Sequence, residues 1–372
     1  MSAERVIRDL TGLIDVEIGG SRPHDILVRD PRFYGRVLGG GSLGLGESYM
    51  DQWWDCDDLP GLFYRIAIGH LDRRLPLSIS LVAEAVKARL LNLQSLRRSR
   101  IVANLHYNET IEAYRSMTDR RITLSCAYWK SATTLDEAQE AKLDLIARKL
   151  HLKCGARILD IGCGFGAFAR FAAEQYGCSV VGINVSEHQL RCARELAAGL
   201  PIVYHLSDYR DVARYWDGQP FDAIVSTGMF EHVGYKNHRT YMNIAHRVLK
   251  PQGLFLLHTI GSDVTTTTND PWFDRYIFPN GLLPSIRQIG TAIEGVFVME
   301  DWHNFGADYE KTLIAWWENF NRAWPGSTTD RFYRMWRYYL LSAAGIGRSR
   351  TKQLWQIVLS RGGVPGGYAS AR

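Results

Sequence analysis

Residues 157–171 read RILDIGCGFGAFARF. Residues 158–161 are a short apolar run, and Gly162, Gly164 and Gly166 follow at alternate positions. Phe165, Phe168, Ala169 and Ala172 then recur at helical spacing. The pattern is a buried strand, a glycine turn and the start of a helix. Glycine lets backbone approach a ligand closely, and a helix start offers unpaired N–H groups, so the stretch predicts a nucleotide site. As an isolated string it fits an ordinary tight turn equally well.

The chain downstream sharpens the reading. Residues 178–185 (CSVVGINV) form a second buried strand, ending at Asn184 about twenty residues after the glycines. Ser186 can cap a helix carrying His188, Leu190 and Ala193. Residues 202–206 are a third strand, followed by Asp208 and Tyr209, and residues 221–226 (FDAIVS) are a fourth. Residues 241–249 read as a helix, Pro251 and Gly253 as a turn, and residues 254–258 as a fifth strand. This alternation predicts an α/β fold with a predominantly parallel sheet and ligands at the strand C-termini. Two nucleotide classes compete, because Gly162, Gly164 and Ala167 also satisfy the dinucleotide fingerprint. A NAD site wants an acid at the end of the second strand, where this chain has Asn184. Its acids stand instead at Asp160, directly before the glycines, and at Asp208. DIGCGFG with a later Asp-Tyr resembles a class I S-adenosylmethionine methyltransferase, which implies a Rossmann-like domain.

A narrower resemblance rests on five motifs in order. They are Ser125-Cys126-Ala127-Tyr128-Trp129, then residues 160–166, Phe230-Glu231-His232-Val233-Gly234, His258-Thr259-Ile260-Gly261, and residues 302–309 (WHNFGADY). Together they resemble the cyclopropane-fatty-acyl-phospholipid synthases. The likeness reaches residues 43–50 (LGLGESYM) with Trp53 and Trp54, which is similar to the bacterial two-domain form. It implies a small N-terminal lipid-binding domain, residues 1–100 with its linker, and a catalytic domain, residues 101–372.

Composition is consistent with that size. The 372 residues are 46% hydrophobic, enough for a sizeable core, with no run long enough for a transmembrane helix and no signal-peptide core at the start. Six cysteines show no paired metal spacing and read as reduced thiols, so no metal site is expected. Net charge is +5, unevenly spread: from Arg331 onward there are eight Lys or Arg and no acid, leaving the rest at −3. A basic, aromatic C-terminal region implies an anionic partner, and arginines packed on aromatics explain it equally. No nucleic-acid motif is present, and the resemblance implies an anionic phospholipid surface.

Along the chain, Val6, Ile7, Leu10, Leu13 and Ile14 predict an amphipathic helix, and residues up to about 45 read as short strands and turns. Residues 44–54 (GLGESYMDQWW) suit core packing between small helices or a lipid-facing wall. Residues 75–96 read as a helix ending in Arg97, Arg98 and Arg100, either lying on a membrane or simply capped by arginines. Residues 106–117 resemble the family's entry to the cofactor site, and residues 136–150 form a helix. The irregular stretch 262–284 suits a lid. Residues 308–324 and 329–341 are aromatic-rich helices able to enclose an acyl chain, and residues 362–372 are expected to fray.

The implied chemistry is demanding. Moving a methyl group from a sulfonium onto a cis double bond leaves positive charge on carbon, so the site must exclude water and supply aromatic faces and a base. The resemblance implies that the base is a bound bicarbonate, cradled by Cys126, Glu231, His258, the Ile260 backbone and Tyr309. His232 stands beside Glu231 and competes for its role. For S-adenosylmethionine it implies Ser125, Asp160, Gly162, Gly164 and Gly166 near the methionine part. Asn184 and Gln189 belong near the ribose and adenine, with Asp208 and Tyr209 at the adenine. The expected protein is cytoplasmic, peripheral to the inner membrane and homodimeric. Rival readings are a lipid C-methyltransferase giving a methyl-branched chain, a non-catalytic lipid carrier and a NAD oxidoreductase.

Overall fold

The computed structural model describes residues 2–71, 94, 111–214 and 217–372. The expected helix 75–96 (Gln94 apart), the Arg97–Arg98–Arg100 cluster, the boundary near 100 and residues 106–110 lie outside these.

The chain opens with helix α1 (Ala3–Gly12), where Ser2 caps Arg5 and Ile7 is buried. Where short strands and turns were expected, α2 (Arg32–Met50) is two helical segments. They meet at Gly41, whose backbone (φ 56°, ψ −134°) is not helical, so the glycine run does punctuate the chain there. Burial of Phe33, Tyr34 and Val37 before the kink and of Tyr49 and Met50 after it outweighs the poor helix propensity of glycine. Strands β1 (Leu27–Val28) and β2 (Trp54–Asp55) pair antiparallel, and α3 (Leu59–Ile68) is capped by Asp58.

After α4 (Ile111–Met117) and α5 (Leu135–Lys149) come β3 (Arg157–Ile161), α6 (Ala167–Tyr176), β4 (Ser179–Asn184), α7 (Glu187–Leu196) and β5 (Ile202–Leu206). Then follow β6 (Phe221–Thr227), α8 (His238–Val248), β7 (Leu249–Ser262), α9 (Pro271–Tyr276) and α10 (Ile286–Ile293). The chain closes with β8 (Val298–Asn304), α11 (Asp308–Ala323), α12 (Arg331–Arg348) and β9 (Lys352–Ser360). The sheet order is β5-β4-β3-β6-β7-β9-β8, with β3 to β7 parallel and β9 antiparallel to both neighbours. Strand order reverses beside β3, so the crevice between β3 and β6 is where a ligand belongs.

Three features differ from the sequence reading. The fifth parallel strand, β7, bends through Gln252 (φ 63°) without leaving the sheet. It also extends to Ser262, because Thr259, Ile260 and Gly261 pair with Trp355, Leu354 and Gln353 of β9. The stretch expected to be irregular contains α9. Residues 362–372 do not fray: Val364 N donates to Glu300 (3.0 Å), Tyr368 Oη to Lys149 O (2.8 Å), and Arg372 grips both oxygens of Asp301.

The N-terminal helices share a core with α11 and α12. Tyr49 and Trp54, both fully buried, meet Tyr338 at ring-centroid distances of 5.5 and 6.5 Å. Gly46 leaves room for the Trp272 indole, which a Cβ at that position would approach to 2.3 Å. Arg334 of α12 is buried, donates to Tyr49 O (2.6 Å) and Trp54 O (3.0 Å), and pairs with Asp55 (3.1 Å). Arg331 pairs with Asp51, and Arg337 donates to the Tyr49 hydroxyl. Three of the eight basic C-terminal residues are thus answered by groups of the N-terminal region.

Candidate active site

The loop after β3 turns on glycines that all have positive φ: 80° at Gly162, 55° at Gly164 and 75° at Gly166. Side chains are strained in that region, which is why glycine stands there. Gly162 and Gly164 line a cavity of about 270 Å³ together with Ser125, Asp160, Asn184, Gln189, Asp208, Tyr209 and Tyr309. Gly166, expected among them, is not on its surface. It caps α6 and lies against Tyr204, whose hydroxyl would stand 2.1 Å from a Cβ there.

Asn184 replaces the acid common at this strand end, and its contacts give a reason. Nδ2 donates to Gln189 Oε1 (2.7 Å) and Gly164 O (3.4 Å), while Oδ1 accepts from Val185 N (2.8 Å). One amide therefore ties three cavity-lining residues together, which a carboxylate without donors cannot do. Asp208 is paired with Arg210 (3.0 Å), and that guanidinium also covers the Tyr209 ring at 4.6 Å and donates to Gln94 O (2.7 Å). Arg210 lines the cavity. The sequence reading passed over it, although it directly follows the Asp-Tyr pair.

Cys126, Glu231, His258, Ile260 and Tyr309 come together at one end of the cavity, in and around one buried cluster. Cys126, Phe305 and Leu354 form its core, with Ile260 and Tyr309 packed against it. His258 meets Phe305 at 5.9 Å. Of the five only Tyr309 reaches the cavity surface. Two of the five already have partners within the protein. At the Ile260 backbone, expected in the cradle, the N–H is taken by Glu231 Oε1 at 2.7 Å, because a buried carboxylate needs a donor. The Cys126 thiol donates to Ala127 O (3.3 Å), and burial holds its pKa well above the usual value. Glu231 Oε2 and His258 Nε2 are buried without hydrogen-bond partners among the described residues.

Electrostatics assign protonation states. Burial raises the Glu231 carboxyl to about 7 against its donor from Ile260. Burial, with the charges of Lys142 and Lys149, lowers His258 well below the imidazole range, so it is neutral. Gln356 Nε2 faces His258 Nδ1 at 3.4 Å, a contact that suits the tautomer with its ring proton on Nε2. Burial and then Tyr339, Cys126 and Glu231 push the Tyr309 phenol well up, so it too is a donor. The neighbours Glu231 and His232 separate: Glu231 turns to the strand end, while His232 lines the cavity and is held neutral by burial, at about 4.

Further residues escaped the sequence reading. Thr312 Oγ1 accepts from Ala127 N (3.1 Å) and Trp129 Nε1 (2.9 Å), and so fixes the 125–129 segment to α11. Lys142 of α5 lines the cavity and donates to Ser125 Oγ at 2.8 Å. The aromatics on its wall, by contrast, come from segments the sequence had marked out: Trp316, Trp336 and Tyr339 from the two aromatic-rich helices and Phe278 from the stretch expected to form a lid. Among the described residues no cluster of His, Cys, Asp or Glu could hold a metal ion, and no helix is long and apolar enough to cross a membrane.

Comparison with known proteins bears on this site. A family model described as mycolic acid cyclopropane synthetase matches residues 94–357. A cyclopropane-fatty-acyl-phospholipid synthase of Escherichia coli (strain K12) is 50% identical over 371 residues, covering 99% of this chain and 96% of that protein. Cyclopropane mycolic acid synthase 1 of Mycobacterium tuberculosis (strain ATCC 25618 / H37Rv) is 35% identical over 233 residues, 57% of this chain and 78% of that protein. Among solved structures, mycolic acid cyclopropane synthase CmaA1 complexed with SAH and CTAB superposes with a TM-score of 0.62 at 29% identity, covering 70% of this chain and 98% of that one.

Proposed function

Because the chain belongs to the mycolic acid cyclopropane synthetase family, we propose that it adds a methylene group from S-adenosylmethionine to the cis double bond of an unsaturated phospholipid acyl chain. The observation that carries this is the 50% identity across 99% of the chain, N-terminal helices included.

S-adenosylmethionine, when bound, supplies an electrophilic methyl on sulfur. The chain's own residues supply the surroundings. Positive charge develops on an acyl carbon as the alkene is methylated. The faces of Trp316, Trp336, Tyr339 and Phe278 stabilise such a charge without attacking it and keep water away. Ser125, Asp160, Gly162 and Gly164 belong to the methionine part, and Asn184, Gln189, Asp208 and Tyr209 to the nucleoside. Gly166 supports the loop from behind.

The orphaned atoms beside Tyr309 fit a small oxyanion that carries one proton. His258 Nε2–H and the Tyr309 hydroxyl can donate, and Glu231 Oε2 can accept. A bicarbonate held there would supply the base for the proton lost on ring closure. Cys126 and Ile260 serve as packing and as the anchor of Glu231.

The proposal also includes an N-terminal lipid-binding part divided from the catalytic part near residue 100, a peripheral place on an anionic inner-membrane surface from the cytoplasmic side, and a homodimer. Binding to anionic vesicles should weaken with added salt. Salt-insensitive binding or none removes the membrane element, and sedimentation at several concentrations decides the dimer.

The deciding experiment incubates the purified protein with S-adenosylmethionine and unsaturated phospholipid vesicles, with bicarbonate present or depleted, followed by mass spectrometry. The expected result is a gain of one CH₂ with loss of the double bond, dependent on bicarbonate. A branched chain of the same mass means a C-methyltransferase instead. No product from a protein that binds the cofactor overturns the substrate.

A further inference from the structure

Two lysines lie on the buried face of α5, Lys142 and Lys149, both with no exposed surface. Lys149 is paired with Asp301 at 3.4 Å and contacts His303 Nδ1 at 3.1 Å. Lys142 has no role in the chemistry above, yet it sits on the cavity wall. Its Nζ donates to Ser125 Oγ at 2.8 Å, one of three hydrogen bonds an ammonium can give. Ser125 is held a second time from the same helix, by Gln139 Nε2 on its carbonyl at 2.9 Å.

The acids near Lys142 are Asp119 and Asp160. Asp119 is occupied with Thr123 N (2.7 Å), Thr123 Oγ1 (3.2 Å) and Arg121 N (3.0 Å). Asp160 is 3% exposed and lines the same cavity. A buried ammonium and a buried carboxylate thus share one end of the cavity beside the glycine loop. Burying either charge is costly without a partner. Two opposite charges on one cavity wall match a ligand group that itself carries both, and an α-amino acid group does. Burial lowers Lys142 to about 8, which leaves it charged near neutrality, and raises the Asp160 carboxyl to about 7 against the pull of Lys142, so that the second charge of the pair develops as pH passes neutrality.

We propose that Lys142, together with Ser125, binds the α-carboxylate of the cofactor while Asp160 faces its α-ammonium. This rests on the S-adenosylmethionine reading above. The carboxylate would accept from the Lys142 ammonium beside its hydrogen bond to Ser125.

Three ligands test it by calorimetry, with no lipid present. S-adenosylhomocysteine carries the whole amino acid group, its decarboxylated analogue keeps only the amine, and methylthioadenosine has neither. The wild type should bind S-adenosylhomocysteine at least tenfold more tightly than the decarboxylated analogue. Lys142→Met should reduce S-adenosylhomocysteine affinity at least tenfold and leave the other two within twofold, so that the preference collapses. Lys142→Arg should restore part of it. Equal losses for all three ligands, or no loss, would overturn the proposal in favour of a packing role. If Lys142→Met does not fold, the wild-type preference alone decides, and its absence refutes the carboxylate contact. A wild type that binds none of the three refutes the cofactor reading itself, which is a separate result.

Discussion

Glu231 is an acid kept where its charge is costly. Its folded pKa of about 7 lies above the ordinary 4.5, with burial as the largest cause. The folded state therefore holds the proton more tightly than the unfolded chain, and the sign follows. This group's contribution is fully present below about 4.5 and is lost as pH rises to about 7. Glu231→Gln removes the titration. Between those pH values urea unfolding should show the wild type losing stability relative to the variant, by at most roughly 3 kcal/mol. A difference that does not change with pH would mean that the carboxyl is better solvated than its burial implies. Such a residue shows how partial the reading of the site from sequence is. The motif picks out Glu231 and His258, but the partner of His258 Nδ1 is Gln356, which lies 98 residues away and carries no local signal. Lys142 was hidden for a related reason: a lysine on a helix ordinarily faces solvent, and only the packing of α5 shows otherwise.

At the scale of elements, the strand–glycine–helix unit was legible because its signals are local: an apolar run, alternate glycines and helical spacing. α2 and β9 were not. Three consecutive glycines argue against a helix, and the chain does break at Gly41, but burial in the core shared with α12 and Trp272 keeps the segments on either side helical. β9 is recognised only through its pairing with β7 and β8. The docked C-terminal segment likewise owes its order to Glu300, Asp301 and Lys149, all distant in sequence. The start of α6 allows a direct test. Gly166→Ala places a side chain in the left-handed region and against the Tyr204 hydroxyl, at a combined cost of roughly 2–4 kcal/mol. That hydroxyl has no hydrogen-bond partner among the described residues, so Tyr204→Phe alone should cost little. The double variant should recover at least roughly 1 kcal/mol of the loss in urea unfolding. Strict additivity would show that the clash is relieved by other means.

At the scale of the whole molecule, Arg334 is the joint between the two ends of the chain. It satisfies two buried carbonyls and pairs with Asp55, and its guanidinium stands 3.9 Å from the Tyr49 ring centroid. Arg334→Met leaves those carbonyls and the carboxylate without their donor, so a loss of roughly 3 kcal/mol is expected in denaturant titrations. Tryptophan fluorescence should shift with the same midpoint as helix content. A loss below roughly 1 kcal/mol would mean that the joint is carried by apolar packing alone. The shared core also sets a timetable for the nascent chain. Tyr49 and Trp54 leave the ribosome long before Tyr338, their partner in the packed rings. At ordinary rates of synthesis that interval is roughly 15–60 s. Throughout it Tyr49 and Trp54 have each other and Phe33 but not Tyr338 to cover them, so the earliest part of the protein to be made is among the last to be finished.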